Sequence, residues 1–401
     1  MKKITLCAVC AVLAAGGTSI AAETQHLPAE KDGEIAAALD RFRQWKGEDE
    51  TVVFPVMTDL HAWYPDLADS PGPGGDPKMH IPYALQVGDR FGADFHLDLG
   101  DIGSDRVVTR TNGLQGAKFA ETRSATLEER RRREVSQFAL YDKTDRPVFC
   151  CVGNHDLIYA ERAGDENDWT SVNPAEFGNR FSPLAHGADA VWGEGRHYGY
   201  WDVPGKRFRL IFLDNFEFAT RCGFSAEQVR FLIRALAVPE DFTVLVAMHR
   251  SLVPSSCCWL RNGTMRCRNS YNGKAARFGV KQVVRILEDF VAHEKGSSGG
   301  FAWDFTAQKG SRLAGVLTGD SHYDNWTVQN DVLWLCRQGY GSISREHELP
   351  HENGAKHVSV SLKDTMLVDV VAVKPRTGEL RIFRVGADGA EGDFADVRQG
   401  M

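Results

Sequence analysis

An α/β fold is predicted from three features of the chain: short apolar runs, amphipathic stretches of helical period between them, and polar groups just beyond the ends of the runs. The runs at 52–57, 95–99, 148–152, 209–213, 243–247 and 313–317 are brief and mostly apolar, as buried strands are. A polar helix over 31–46 precedes the first of them. Helices are expected at 127–141, 225–237 and 277–293, where apolar residues recur every three or four positions. Ser225 with Gln228 makes a capping-box pattern at the start of the second. Residues 357–385 read as two strands joined by a turn at 375–378, which extends a sheet and does not form a domain of its own.

Composition narrows the class. The chain has 401 residues, of which 25% are charged and 43% apolar, the balance of a soluble globular protein and not of a disordered or collagen-like one. A net charge of −7 gives the surface as a whole no attraction for nucleic acid, and no nucleic-acid-binding module is evident. Residues 1–21 have the layout of a cleavable secretory signal: Lys2 and Lys3, an apolar run over 4–15, then Ser19 and Ala21 at the positions a signal peptidase prefers. That run is shorter than the ~20 apolar residues of a bilayer span, and no later stretch reaches that length. The expected division is a signal peptide at 1–21, a helical lead-in at 22–50, a main domain at 51–390 completed by the C-terminal strands, and a tail at 391–401. The mature chain is thus expected in the periplasm or secreted. In that oxidising setting Cys257, Cys258 and Cys267 are the candidates for a loop-closing bridge. Cys150 and Cys151 end an apolar run and read as small buried hydrophobes; without C-x-x-C spacing they make a weak case for a thiol enzyme.

The polar groups at the run ends carry the chemistry. Asp59-Leu60-His61 follows the first run, and an Asp and a His two residues apart converge on one ion where a strand breaks into a loop. Gly100-Asp101 closes the second, with a carboxylate whose two oxygens suit a bridge between cations. Gly153-Asn154-His155-Asp156 closes the third and is the most specific of the set: an amide, an imidazole and a carboxylate in succession suit a ligand, an acid and the group that orients it. His249 follows the run at 243–247, and Gly319-Asp320-Ser321-His322 the run at 313–317. In open α/β sheets ligands collect at the carboxyl ends of strands, so these ends should face one crevice.

In this order the motifs resemble the calcineurin-like metallophosphoesterase family, whose pattern is D-x-H, G-D, G-N-H-[DE], a lone H and G-H-x-H; the likeness spans about 52–385. The resemblance implies a four-layer α-β-β-α sandwich of two mixed sheets flanked by helices. It implies one metal ion on Asp59, His61, Asp101 and His322, and a second on Asp101, Asn154, His249 and Asp320. The ions would be Mn, Fe, Zn or Mg, and a metal-bound hydroxide would attack a phosphate ester in line. His155 would protonate the leaving oxygen, Asp156 would orient its ring, and Asn154, His155 and Arg250 would contact the phosphate. The chain departs from the family pattern at Asp320, which stands where the first histidine of G-H-x-H belongs. A third carboxylate makes the centre less positive and tilts the expectation toward singly charged esters such as diesters. The reading from a different class is a catalytically silent binding protein of the same fold, against which an intact His155-Asp156 pair argues. His96 is expected in the core, residues 129–133 on a solvated helix face, and the basic stretch 258–274 near an anionic ligand or merely in solvent.

Overall fold

The computed structural model describes residues 29–60, 77–103, 106–110, 121–124, 126, 129, 137–156, 178, 181–217, 222–253, 258–261, 264–267, 279–321, 324–337 and 367–386. Two mixed sheets dominate. The first holds β1 (Val52–Met57), β2 (His96–Asp98) and β5 (Val148–Cys150) in parallel, with β17 (Val368–Lys374) antiparallel beside β1 and β18 (Glu379–Val385) at the edge. The second runs in the order β15 (Asn325–Gln329), β16 (Val332–Cys336), β14 (Arg312–Thr318), β9 (Thr243–Ala247), β8 (Phe208–Phe212), β7 (Gly199–Asp202) and β6 (Val191–Trp192). Its centre, β16-β14-β9-β8, is parallel, and its flanks are antiparallel. Three separate hairpins complete the strands: β3 (Arg106–Arg110) with β4 (Glu121–Ser124), β10 (Cys258–Arg261) with β11 (Thr264–Cys267), and β12 (Lys295–Ser298) with β13 (Phe301–Asp304).

Alternation along the strands sorts side chains into three cores. On β1, Val52, Phe54 and Val56 turn toward the second sheet, where they meet Leu210, Phe212, Leu245 and Leu317. Val53 and Met57 turn the other way, onto α1 (Ala29–Lys46) and α2 (Pro77–Phe91) through Ile35, Phe42, Val87 and Phe91. The second sheet repeats the pattern, its Val244, Val246, Leu313 and Val316 lying under α3 (Ala226–Leu236) and α4 (Val280–Val291). Helix, sheet, sheet, helix is the four-layer sandwich expected from the sequence. The strands at 52–57 and 243–247 have the expected bounds, the other four runs shift by one or two residues, and of the pair expected over 357–385 the described strands occupy 368–374 and 379–385. Of the helix expected at 127–141, residues 129 and 137–141 are described and helical.

Several strands, β15 and β16 among them, were not in the sequence reading, and two further departures have a physical reason. Helix α2 was not expected, since Pro82 removes a backbone donor inside it and Gly88 weakens it. The glycine is needed there: a Cβ at 88 would lie 2.6 Å from the His96 ring, so the helix sits almost against β2. At the start of α3 Ser225 accepts from the Gln228 amide as a cap should, but the capping box is not closed by Gln228. Glu217 takes the Ser225 amide, and the Gln228 side chain instead bridges the backbone N–H and C=O of Asp214.

Among the described residues no helix is long and apolar enough to cross a membrane. Cys150, Cys151, Cys222 and Cys336 are buried, and burial raises the Cys150 and Cys151 thiols well above the ordinary range. The register sets Cys258 across from Cys267, while Cys257 lies outside the described residues.

Candidate metal centre

Five parallel strands, β1, β2 and β5 of one sheet and β9 and β14 of the other, deliver Asp59, Asp101, Asn154, His249 and Asp320 within four residues of their carboxyl ends. Breaking out of a strand that abruptly demands unusual backbone. Asp59, Asp101 and Asp320 all have left-handed φ, at 52°, 57° and 63°, a conformation that aspartate tolerates better than most residues. The glycines of the motifs allow the loops to touch: a Cβ on Gly153 would lie 2.2 Å from both the amide nitrogen and Oδ1 of Asp101, and one on Gly319 2.0 Å from Thr58 Oγ1.

Carboxylates stitch four of these loops together, those after β1, β2, β5 and β14. Asp156 Oδ2 accepts from the amides of Asp101 (2.6 Å) and Gly153 (2.9 Å), and its Oδ1 from the amide of Gly103 (3.0 Å). The group expected to orient the His155 ring is thus buried and turned inward, tying the end of β2 to the end of β5. Burial first, then the neighbouring Asp101 charge, raises Asp156 to about 6 against the pull of those amides. Asp101 Oδ1 accepts from the His155 amide at 2.7 Å, and Asp59 Oδ2 from Thr58 Oγ1 (2.7 Å) and the Asp320 amide (3.0 Å). Asp59 and Asp320, one from each sheet, are thereby joined.

At the centre stands His249, fully buried. Its Nδ1 lies 2.8 Å from the Leu99 carbonyl, which can only accept, so Nδ1 carries a proton and the neutral ring turns its Nε2 lone pair inward. That nitrogen lies 3.2 Å from Asp101 Oδ2 and 3.8 Å from Asp320 Oδ1. Burial alone lowers the ring's pKa, but the Asp101, Asp59 and Asp320 charges override it and push it up to about 10. Two acceptors face to face need a cation between them, either a proton on Nε2 or a metal ion. One oxygen or nitrogen from each of Asp59, Asp101 and His249 lies within 4.8 Å of the others, a hard mixed-donor set that suits a divalent ion.

Arg250 was expected on the phosphate; here it faces Asp320. Its Nε donates to Asp320 Oδ2 at 2.6 Å, and its Nη2 to Asp320 Oδ1 at 2.9 Å and to Asn154 Oδ1 at 3.3 Å. Phe216 lies beneath the guanidinium, 4.7 Å from its ring centroid. Asn215 grips the Arg250 backbone at both ends, donating to its carbonyl at 2.5 Å and accepting from its amide at 3.4 Å. The sequence reading gave Asn215 and Phe216 no role at the site, although Asp214-Asn215-Phe216 follows the apolar run at 209–213. His155 is half-buried, and His61 and His322 lie outside the described residues. His96 is buried in the core as expected.

No family model matches the chain, and no curated protein does. Among solved structures the chain is similar to a dimetal phosphatase from Danio rerio, at 12% identity and a TM-score of 0.48 over 84% of this chain and 96% of that one. It is similar also to purple acid phosphatase PPD1 from yellow lupin (Lupinus luteus), at 13% identity and a TM-score of 0.45 over 86% and 52% of the two chains. A third similarity is to the calcineurin-like phosphoesterase YfkN from Bacillus subtilis, at 10% identity and a TM-score of 0.33 over 87% and 93%. Likenesses this distant do not settle chemistry, which rests on the side chains described above.

Proposed function

We propose that the chain is an exported, metal-dependent phosphoesterase of the calcineurin-like type. The observation that carries this reading is the convergence of buried Asp59, Asp101 and His249 from three strand ends in two sheets, with His249 Nε2 3.2 Å from an Asp101 oxygen. A divalent ion held there, with Mn, Fe, Zn and Mg all compatible with the donors, supplies Lewis acidity and an activated water. The sequence reading provides for two such ions. His61 and His322 complete the ligand set in this proposal.

The chain's own residues do the rest. His155, half-buried, holds the proton for the leaving oxygen. Asn154 and Arg250 lie beside the carboxylates and supply donors for phosphoryl oxygens. Asp156 acts through position, fixing Asp101 and the amide of Gly153. Three buried carboxylates, Asp59, Asp101 and Asp320, keep the centre from being strongly positive, which favours a singly charged ester over a monoester dianion.

The test is a panel of mono- and diesters assayed with purified protein after chelation and after return of each metal singly. Loss of hydrolysis on chelation and recovery with one or more ions is expected; full activity in metal-free protein would overturn the proposal. Export is checked on the protein recovered outside the inner membrane, whose chain should begin just after residue 21.

A further inference from the structure

We infer that Arg250 takes the place of a second metal ion: its guanidinium, locked between Asp320 and Asn154, is the fixed cation of a centre that binds a single divalent ion. The inference rests on the function proposed above and specifies its metal count. The ligands available to a second ion are Asp101, Asn154, His249 and Asp320. Two of these four side chains, Asn154 and Asp320, bind Arg250, and the Asp320 carboxylate does so through both oxygens.

A planar guanidinium matches a carboxylate fork and keeps its charge at any working pH, so it neutralises Asp320 without needing an ion. It is also held in place from behind. Asn215 fixes the Arg250 backbone and Phe216 offers a ring face to the cation. A second divalent ion at this spot would have to displace three hydrogen bonds and stand next to a part-buried positive charge. The departure at 320 thus has a counterpart: its carboxylate and the arginine directly after His249 form a pair that either residue alone would leave uncompensated.

The pair leaves the place of one ion intact, on side chains drawn from both expected sets, Asp59 and Asp101 from the first and His249 from the second. His249 Nε2, Asp101 Oδ2 and the Asp59 carboxylate still converge. Among the described residues the hydrogen bonds of Arg250 use Nε and Nη2, so Nη1 is left for a phosphoryl oxygen. With 18% of its side chain exposed, Arg250 can reach substrate from its fixed position. One divalent ion, two carboxylates and a neutral Arg250–Asp320 pair sum to a formally neutral centre, which suits the singly charged ester.

The experiment counts ions. Chelated, full-length mature protein is loaded with excess MnCl2, desalted, and analysed for manganese per chain and by electron paramagnetic resonance. One equivalent with the hyperfine-split spectrum of an isolated Mn(II) is expected. The double variant Arg250→Ala, Asp320→His should take up a second equivalent and show an exchange-coupled pair, as long as its circular dichroism and melting stay like those of the parent. Arg250→Gln, which frees Asp320 with little change of volume, should gain manganese in the same direction. Two equivalents in the parent would overturn the inference and leave the proposed function standing. A folded double variant that still holds one would also overturn it. A parent that retains no metal and hydrolyses no ester would remove the proposed function as well.

Discussion

The aspartates at 59, 101 and 320 combine two costs, a left-handed backbone and a buried charge; only the second is offset, by a metal ion at Asp59 and Asp101 and by Arg250 at Asp320. The costs can be separated at Asp59. Asparagine tolerates its φ of 52° as aspartate does but removes one of three crowded negative charges. Asp59→Asn should therefore lose manganese affinity while the metal-free protein melts no lower than the parent. Asp59→Ala should lose affinity equally and in addition about 1–2 kcal/mol of stability, from the strained φ. Thermal melting in chelator beside a metal titration distinguishes them; equal melting of the two variants would remove the strain argument. His155→Ala should slow hydrolysis of alkyl esters by about 10²–10⁴-fold and that of nitrophenyl esters far less, because only a poor leaving oxygen needs the proton. Equal losses on both would take His155 out of the acid's role.

At the scale of elements, the motif loops were legible because each follows a short apolar run and each carries residues with few structural uses in that order: Gly100-Asp101, Gly153-Asn154-His155, Gly319-Asp320. What those loops do to one another was not legible. The Arg250–Asp320 pair spans 70 residues, and no local pattern marks it. Asp156 belongs to a recognised motif, yet it binds three backbone amides from the ends of β2 and β5, a role visible only once both strands are in place. Helix α2 escaped notice because Pro82 and Gly88 break its propensity while tertiary packing holds it. The Asp156 tie yields a prediction. Asp156→Asn places one amide nitrogen against backbone donors and should cost about 1–3 kcal/mol of stability. Because Asp101 then loses its fixed position, metal affinity should drop by about 10–100-fold. The dependence of rate on the leaving group should not change. A flattened leaving-group dependence with normal metal affinity would instead restore Asp156 as the residue that orients His155.

Across the whole molecule, the two sheets are held together by more than the apolar layer between them. Arg337 at the end of β16 and Asp324 just before β15 belong to the second sheet; Asp369 on β17 and Arg384 on β18 belong to the first. All four meet in the interior. Asp369 accepts from Arg337 Nη2 at 2.7 Å and from Arg384 Nε at 2.9 Å, while Asp324 accepts from Arg384 Nη1 at 2.6 Å and lies 3.1 Å from Arg337 Nη2. With two charges of each sign the cluster is neutral, and it anchors the chain at Asp324, close to the site loop at 319–321. Burial raises the Asp369 pKa and the two arginines more than reverse this, so it ends below the ordinary carboxylate value. A folded pKa below the unfolded one contributes stability above the unfolded value, about 3.9, and loses it as the pH falls through the folded one. Asp369→Asn, which leaves the arginines in excess, should thus lose about 3–5 kcal/mol at neutral pH. The difference from the parent should shrink as both are taken into acid, since the parent's own Asp369 then protonates. Because Asp324 keeps Arg384 in the variant, the loop stays anchored, and metal affinity at a temperature where the variant is folded should stay near that of the parent. Denaturant titrations at pH 7 and at pH 3, with a manganese titration at neutral pH, measure all three quantities. A stability difference that persists unchanged into acid would mean that the Asp369 charge is not what joins the sheets.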